Sequence, residues 1–298
     1  MSIQLTQVCL APVTMNGSLF ARLIADHDLG FAPSTVRWSP GERGDQRLTA
    51  KALGRLAAAG ELDWAHVAGS NDGEEFSLAG FAGHPLKQLI WRSRGSAPDD
   101  LVDAVAELPG FNAAYCGDAD DVHWQSETSI AAYESAGRSH ARLPKVEGGV
   151  FPWEPYQIDI SANPGRRTPY DGILLWAASR MWFGARAVEH LGRERLLSAP
   201  VGAVSERAGG RVIAVDLFPL DWIGSRLDEV RDRQRTFRDW MGFDELETGT
   251  FEHGGVRRLT EWLDARGRPA PKSRAAKGRT VELSDDGQLL WESETQPG

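Results

Sequence analysis

The sequence predicts an α+β protein of two interacting subdomains, each a mostly antiparallel sheet packed with helices, plus a hairpin at the C-terminal end. Three observations predict it. Short apolar stretches recur between turn signals such as Ser70-Asn71-Asp72-Gly73 and Gly209-Gly210, the pattern of hairpin-linked strands. Between them stand stretches with apolar residues at helical spacing. Hydrophobic residues make up 41% and charged residues 25% of the 298 residues, a balance that permits a packed core.

The elements follow in order. A strand is expected over 3–13, where Ile3, Leu5 and Cys9 partly alternate with Gln4, Thr6 and Gln7 before Pro12. Asn16 is placed to cap a helix over 18–29 whose apolar face is Leu19, Phe20, Leu23 and Ile24, with Gly30 as its stop. A strand over 35–39 precedes a helix over 46–59, striped by Leu48, Ala52, Leu56 and Ala59 and ended by Gly60. Strands are expected over 64–69, 75–81 and 86–92, linked by the 70–73 turn and by Gly83-His84-Pro85. A helix over 98–108 has Pro98 in its first turn and Asp99 and Asp100 near its positive end. A strand over 112–116 and a polar helical stretch over 118–136 follow.

Residues 137–155, with Pro144, Gly148-Gly149, Pro152 and Pro155, read as a connector. They divide the chain into an N-terminal subdomain, 1–140, and a C-terminal subdomain, 150–265, with a basic linker and terminal hairpin over 266–298. The second subdomain opens on a strand over 156–160. Residues 173–191 are dense in large apolar side chains and read as a helix interrupted near Gly184; a short helix over 193–198 follows. A hairpin over 201–218 turns at Gly209-Gly210. Ser225 is read as the cap of an amphipathic helix running to Met241, which Gly242 ends. Residues 260–265 read as a short helix, 266–279 as a flexible linker, and 280–292 as a hairpin around Asp286-Gly287.

Charge and motifs narrow the function. The net charge of -9 disfavours contact with phosphate backbones and suits a basic protein partner, although it also serves solubility alone. No nucleic acid and no membrane partner is therefore expected. The opening Met1-Ser2-Ile3-Gln4-Leu5-Thr6 lacks the basic and apolar pattern of a signal peptide, and no apolar stretch reaches bilayer length. With only Cys9 and Cys116, each in an apolar setting, this predicts buried thiols and cytoplasmic residence.

Dinucleotide, phosphate-loop, nucleophile-elbow and zinc-helix motifs are all lacking, and no two of the seven histidines stand three or four apart. No cofactor, metal ligand or catalytic residue is therefore assigned. His123 beside Asp120 and Asp121 reads as part of a solvated helix. Glu189 and His190, adjacent on a helix, point to different faces. Asp159, Arg166 and Arg167 form the one candidate polar site: a carboxylate followed by a turn with two guanidinium forks could hold a phosphate or carboxylate, or simply form a surface salt bridge. The eleven tryptophans, against four tyrosines, serve either a core or an interface.

Three stretches carry a resemblance: Asp159-Ile160-Ser161-Ala162-Asn163-Pro164-Gly165-Arg166, then Met181-Trp182-Phe183-Gly184, then Phe237-Arg238-Asp239-Trp240-Met241 with Leu246-Glu247. Across roughly the second half, the chain resembles small bacterial immunity proteins that accompany polymorphic toxins. The resemblance implies a cytosolic protein that binds and blocks a toxin domain without catalysis of its own. Trp182, Phe183, Trp240, Asp244, Glu245 and Glu247 would then face the partner, as aromatic anchors and an acidic run. The rival readings are an enzyme with a polar site between the subdomains around Asp159 and Arg166, and a structural component.

Overall fold

The computed structural model describes residues 3–10, 15–40, 44–80, 87–94, 99–108, 110–147, 155–170, 173–246, 251–253, 256–268, 276–284 and 289–295. In chain order, the first part holds β1 (Gln4–Leu10), α1 (Gly17–Asp26), β2 (Pro33–Ser39), β3 (Gln46–Arg47), α2 (Ala50–Ala57), β4 (Trp64–Gly69), β5 (Glu75–Gly80), β6 (Lys87–Ser93), α3 (Asp99–Ala106) and β7 (Phe111–Asp118). The middle holds α4 (Ala119–Ser126), α5 (Ile130–Ser135), β8 (Lys145–Glu147), β9 (Tyr156–Ile158), β10 (Thr168–Tyr170) and β11 (Ile173–Leu175). Then come β12 (Arg180–Phe183), α6 (Ala185–Leu191), α7 (Arg193–Leu197), β13 (Ala203–Arg207), β14 (Val212–Asp216), α8 (Trp222–Ser225) and α9 (Leu227–Met241). The last part holds α10 (Phe243–Leu246), β15 (Phe251–His253), β16 (Val256–Leu263), β17 (Lys277–Ser284) and β18 (Leu289–Thr295).

The protein is α+β, built on a ten-stranded sheet in the order β13-β14-β12-β7-β1-β6-β5-β4-β2-β3. Every neighbouring pair in it is antiparallel. It belongs to the first of two compact units, Met1–Asp121 with Ala177–Gly242. The second unit is Val122–Trp176 with Phe243–Gly298. It contains the pairs β8-β9 and β10-β11 and a four-stranded sheet, β15-β16-β17-β18. The division therefore differs from a single cut in the connector. β12, β13 and β14 hydrogen-bond onward from β7, so sheet pairing draws a late stretch of chain back to the N-terminal strands.

Local chemistry sets several boundaries as expected. The Asn16 side chain accepts from the Leu19 N–H, capping α1. Gly209 and Gly210 take positive φ in the β13–β14 turn, and Gly242 takes the left-handed conformation that closes α9.

Other boundaries differ. α2 begins only after Thr49, whose hydroxyl accepts from the Ala52 N–H, while Gln46 and Arg47 pair with β2. Ser225 ends α8, and α9 starts after Arg226 without a side-chain cap. Residues 260–263 are strand, within β16, because they pair with β17. The tail that reads as a linker reaches β17 at Lys277. Residues 11–13, the Gly83-His84-Pro85 turn, Gly148-Gly149, residues 269–275, Asp286-Gly287 and Glu247 lie outside the described residues.

The largest correction concerns 173–191. It holds β11, β12 and α6 instead of a broken helix. β12 lies inside the sheet and is apolar on both faces, so it lacks the alternation that marks a half-buried strand. Trp182 joins the core under α1, α2 and α3, opposite Ala114 on β7 and Ala214 on β14, whose small side chains leave room for the indole. Met181 and Phe183 point to the other face, where Phe183 meets Tyr115 edge-on at 6.1 Å between ring centres. α6 contacts β7, β12 and β14. The Gln234 amide of α9 donates to the Ala177 carbonyl at 2.9 Å.

Candidate functional site

Asp159 follows β9 directly. Its carboxylate accepts from the Ser161 N–H at 2.8 Å, the turn that Asp makes with its own backbone two residues on. The Ser161 hydroxyl and N–H together hold the Asp159 carboxyl below its ordinary range. Partial burial opposes them, and the Arg166 charge adds to them. The chain then folds onto the end of α4. Asn163 donates to the Gln125 carbonyl at 3.2 Å, and the Gly165 N–H to the Gln125 side chain at 3.0 Å. The Arg167 N–H donates to Ser126 at 3.2 Å.

Those bonds bring Asp159, Arg166 and Arg167 to one hollow of about 330 Å³, lined also by Thr128, Val146, Glu147, Gln157, Ile158, Ile160 and Ser161. All of these residues belong to the second unit, so the hollow lies within that unit. Arg166 is only 7% exposed; it donates to the Asn163 carbonyl at 3.0 Å and to Asp244 at 2.5 Å. The Arg167 guanidinium lies 5.5 Å from the centre of the Trp176 ring. His123 pairs with Glu127 and does not line the hollow, and His190 is an exposed residue of α6.

The residues expected at a partner surface are dispersed. Trp182 and Phe183 are 3% and 0% exposed, so they are core residues and offer a partner no area. The reason is the position of β12 between two covered faces. Trp240 is 42% exposed, with its indole N–H donating to the Arg195 carbonyl at 2.9 Å. Asp244 is exposed on α10 and bonded to Arg166. Glu245 lies in the same helix. Sequence reasoning missed the partner of Arg166, since Asp244 stands 78 residues away. It also missed Glu147 and Gln157 in the hollow, which the register of β8 against β9 brings close.

Among the described residues, no group of three or more His, Cys, Asp or Glu side chains could hold a metal ion. No helix among them is long and apolar enough to cross a membrane. Cys9 and Cys116 are buried thiols outside any disulfide. No family model, no curated protein and no solved structure matches this chain.

Proposed function

We propose that this protein is a cytoplasmic protein-binding factor of the immunity type, which blocks a basic toxin domain with an acidic surface. The observation that carries the reading is Trp240. A large indole held in one orientation by the Arg195 carbonyl, yet 42% exposed, is the kind of pre-ordered anchor on which interfaces concentrate their energy. It sits at the end of a solvent face of α9 that carries Asp228, Glu229, Asp232 and Asp239. Arg226 and Arg235 pair with Glu229 and Asp232. Among the described residues this leaves Asp228 and Asp239 without an ion pair, and the chain as a whole carries -9. Opposite charge would speed encounter with a basic partner and set its orientation.

The test searches the genes beside this one for a toxin domain and measures its affinity for the wild type and for Trp240→Ala. The variant should bind about 30-fold more weakly, the loss of about 2 kcal/mol that marks a hot spot. Equal affinity, or no complex with the wild type, contradicts the reading.

One observation favours a second reading, an enzyme with a polar site around Asp159 and Arg166: the two residues line the same hollow with Arg167. The burial of Arg166 and its bonds to Asn163 and Asp244 give that side chain a structural task, which leaves the binding reading ahead.

A further inference from the structure

An aspartate or asparagine that precedes glycine is open to one backbone reaction. Glycine has no side chain to shield or restrain its nitrogen, which can attack the side-chain carbonyl carbon of the residue before it and close a succinimide ring. The sequence holds four such pairs: Asn16-Gly17, Asp72-Gly73, Asp171-Gly172 and Asp286-Gly287. The first two lie among the described residues, and the fold treats them differently. Asn16-Gly17 is locked on both sides of the bond that would form. The Asn16 side-chain oxygen accepts from the Leu19 N–H at 2.8 Å, and the nitrogen of the buried Gly17 donates to the Gly60 carbonyl at 2.7 Å. Asp72-Gly73 stands at the tip of the β4–β5 hairpin, where both residues are exposed. The Glu74 N–H donates to the Asn71 carbonyl at 3.3 Å, so Asp72 and Gly73 are the two central residues of a β-turn, with Gly73 at φ 81°. Among the described residues, neither the Asp72 carboxyl nor the Gly73 N–H has a hydrogen-bond partner. The neighbouring Asn71 differs: its side-chain amide donates to Glu74 at 2.9 Å, and the residue after it carries a side chain.

We propose that Asp72 is a modification site, at which the folded protein isomerises spontaneously to isoaspartate. The Gly73 nitrogen bonds to Asp72 Cγ, and the carboxyl hydroxyl leaves as water with the proton of the Gly73 N–H. Water then opens the ring. Cleavage of the new N–Cγ bond restores aspartate. Cleavage of the original peptide bond leaves the chain running through Cβ and Cγ, with the former backbone carbonyl as a free carboxylate. The product has the same mass and charge as the original and one more atom in the main chain of the turn. The inference stands apart from the binding reading.

The test ages the folded protein in mildly acidic buffer beside a second sample unfolded in urea. Isoaspartate is read by methyl transfer from S-adenosylmethionine with an isoaspartyl methyltransferase, and is placed in the sequence by peptide mapping. In the folded protein it should build up at position 72 at least about tenfold faster than at position 16. Urea should raise the rate at 16, because it releases the bonds around Asn16 and Gly17, and leave the rate at 72 little changed. Asp72→Glu should lose the signal in that peptide, since the longer side chain would have to close a larger and slower-forming ring. The site is overturned if the folded protein gains no isoaspartate at 72, or if position 16 reacts as fast as 72 while folded. It is also overturned if unfolding speeds both positions alike, or if Asp72→Glu leaves the signal unchanged.

Discussion

Two tryptophans show what a single residue can and cannot declare. Trp182 and Trp240 lie in similar aromatic surroundings in the sequence, yet one is buried and the other 42% exposed. Trp182→Ala should cost about 3–5 kcal/mol in urea unfolding because it empties a core site, whereas Trp240→Ala should change stability by less than about 1 kcal/mol. The capping role of Asn16 was legible because a cap acts within three residues. The fate of Trp182 was not, because it depends on Ala114 and Ala214 on two distant strands. The same holds for Glu75, which accepts from Arg92 at 2.9 Å and pairs with His66 at 3.2 Å across neighbouring strands. The bond to His66 holds the Glu75 carboxyl below its ordinary range; burial opposes it and the Arg92 charge adds to it. A depressed carboxyl pKa contributes stability that is complete above the unfolded value and is lost as the pH falls through the folded one. The stability advantage of the wild type over Glu75→Gln, followed by urea melts from neutral to acid pH, should therefore shrink on acidification. An advantage that grows would refute the sign.

At the scale of elements, most strands of the ten-stranded sheet, β1, β6 and β7 at its middle included, were readable, and the inner strand β12 was not. A strand covered on both faces has no polar side to give it a period of two, so its apolar density imitates a helix. β16 was hidden for a different reason: its identity rests on pairing with β17, across a stretch that reads as linker. Close packing between elements makes its own demand. Gly17 opens α1 against α2, its N–H bonded to the Gly60 carbonyl at 2.7 Å, and a Cβ added there would stand 1.8 Å from the Leu56 carbonyl oxygen. Gly17→Ala should therefore force the two helices apart, at a cost of about 1–3 kcal/mol in thermal or urea unfolding. A variant as stable as the wild type would mean that the α1–α2 contact is looser than described.

At the scale of the molecule, the α+β class was legible from composition and turn spacing, while the arrangement of the chain was not. Pairing takes β12, β13 and β14 back to the N-terminal sheet, and no local pattern announces a pairing across so many residues. Of the candidate polar site, Asp159, Arg166 and Arg167 were legible together because one short loop holds them, whereas Glu147 and Asp244 enter it only through the fold. The proposed function has an acidic surface, and not a reactive group, meet a basic partner. The most direct measurement is the association rate with a basic toxin domain found among the neighbouring genes, as a function of ionic strength. A charge-steered encounter should slow by about tenfold or more between low and physiological salt, because surface charges are screened beyond roughly 8 Å at the latter. An association rate that does not change with salt would contradict the account.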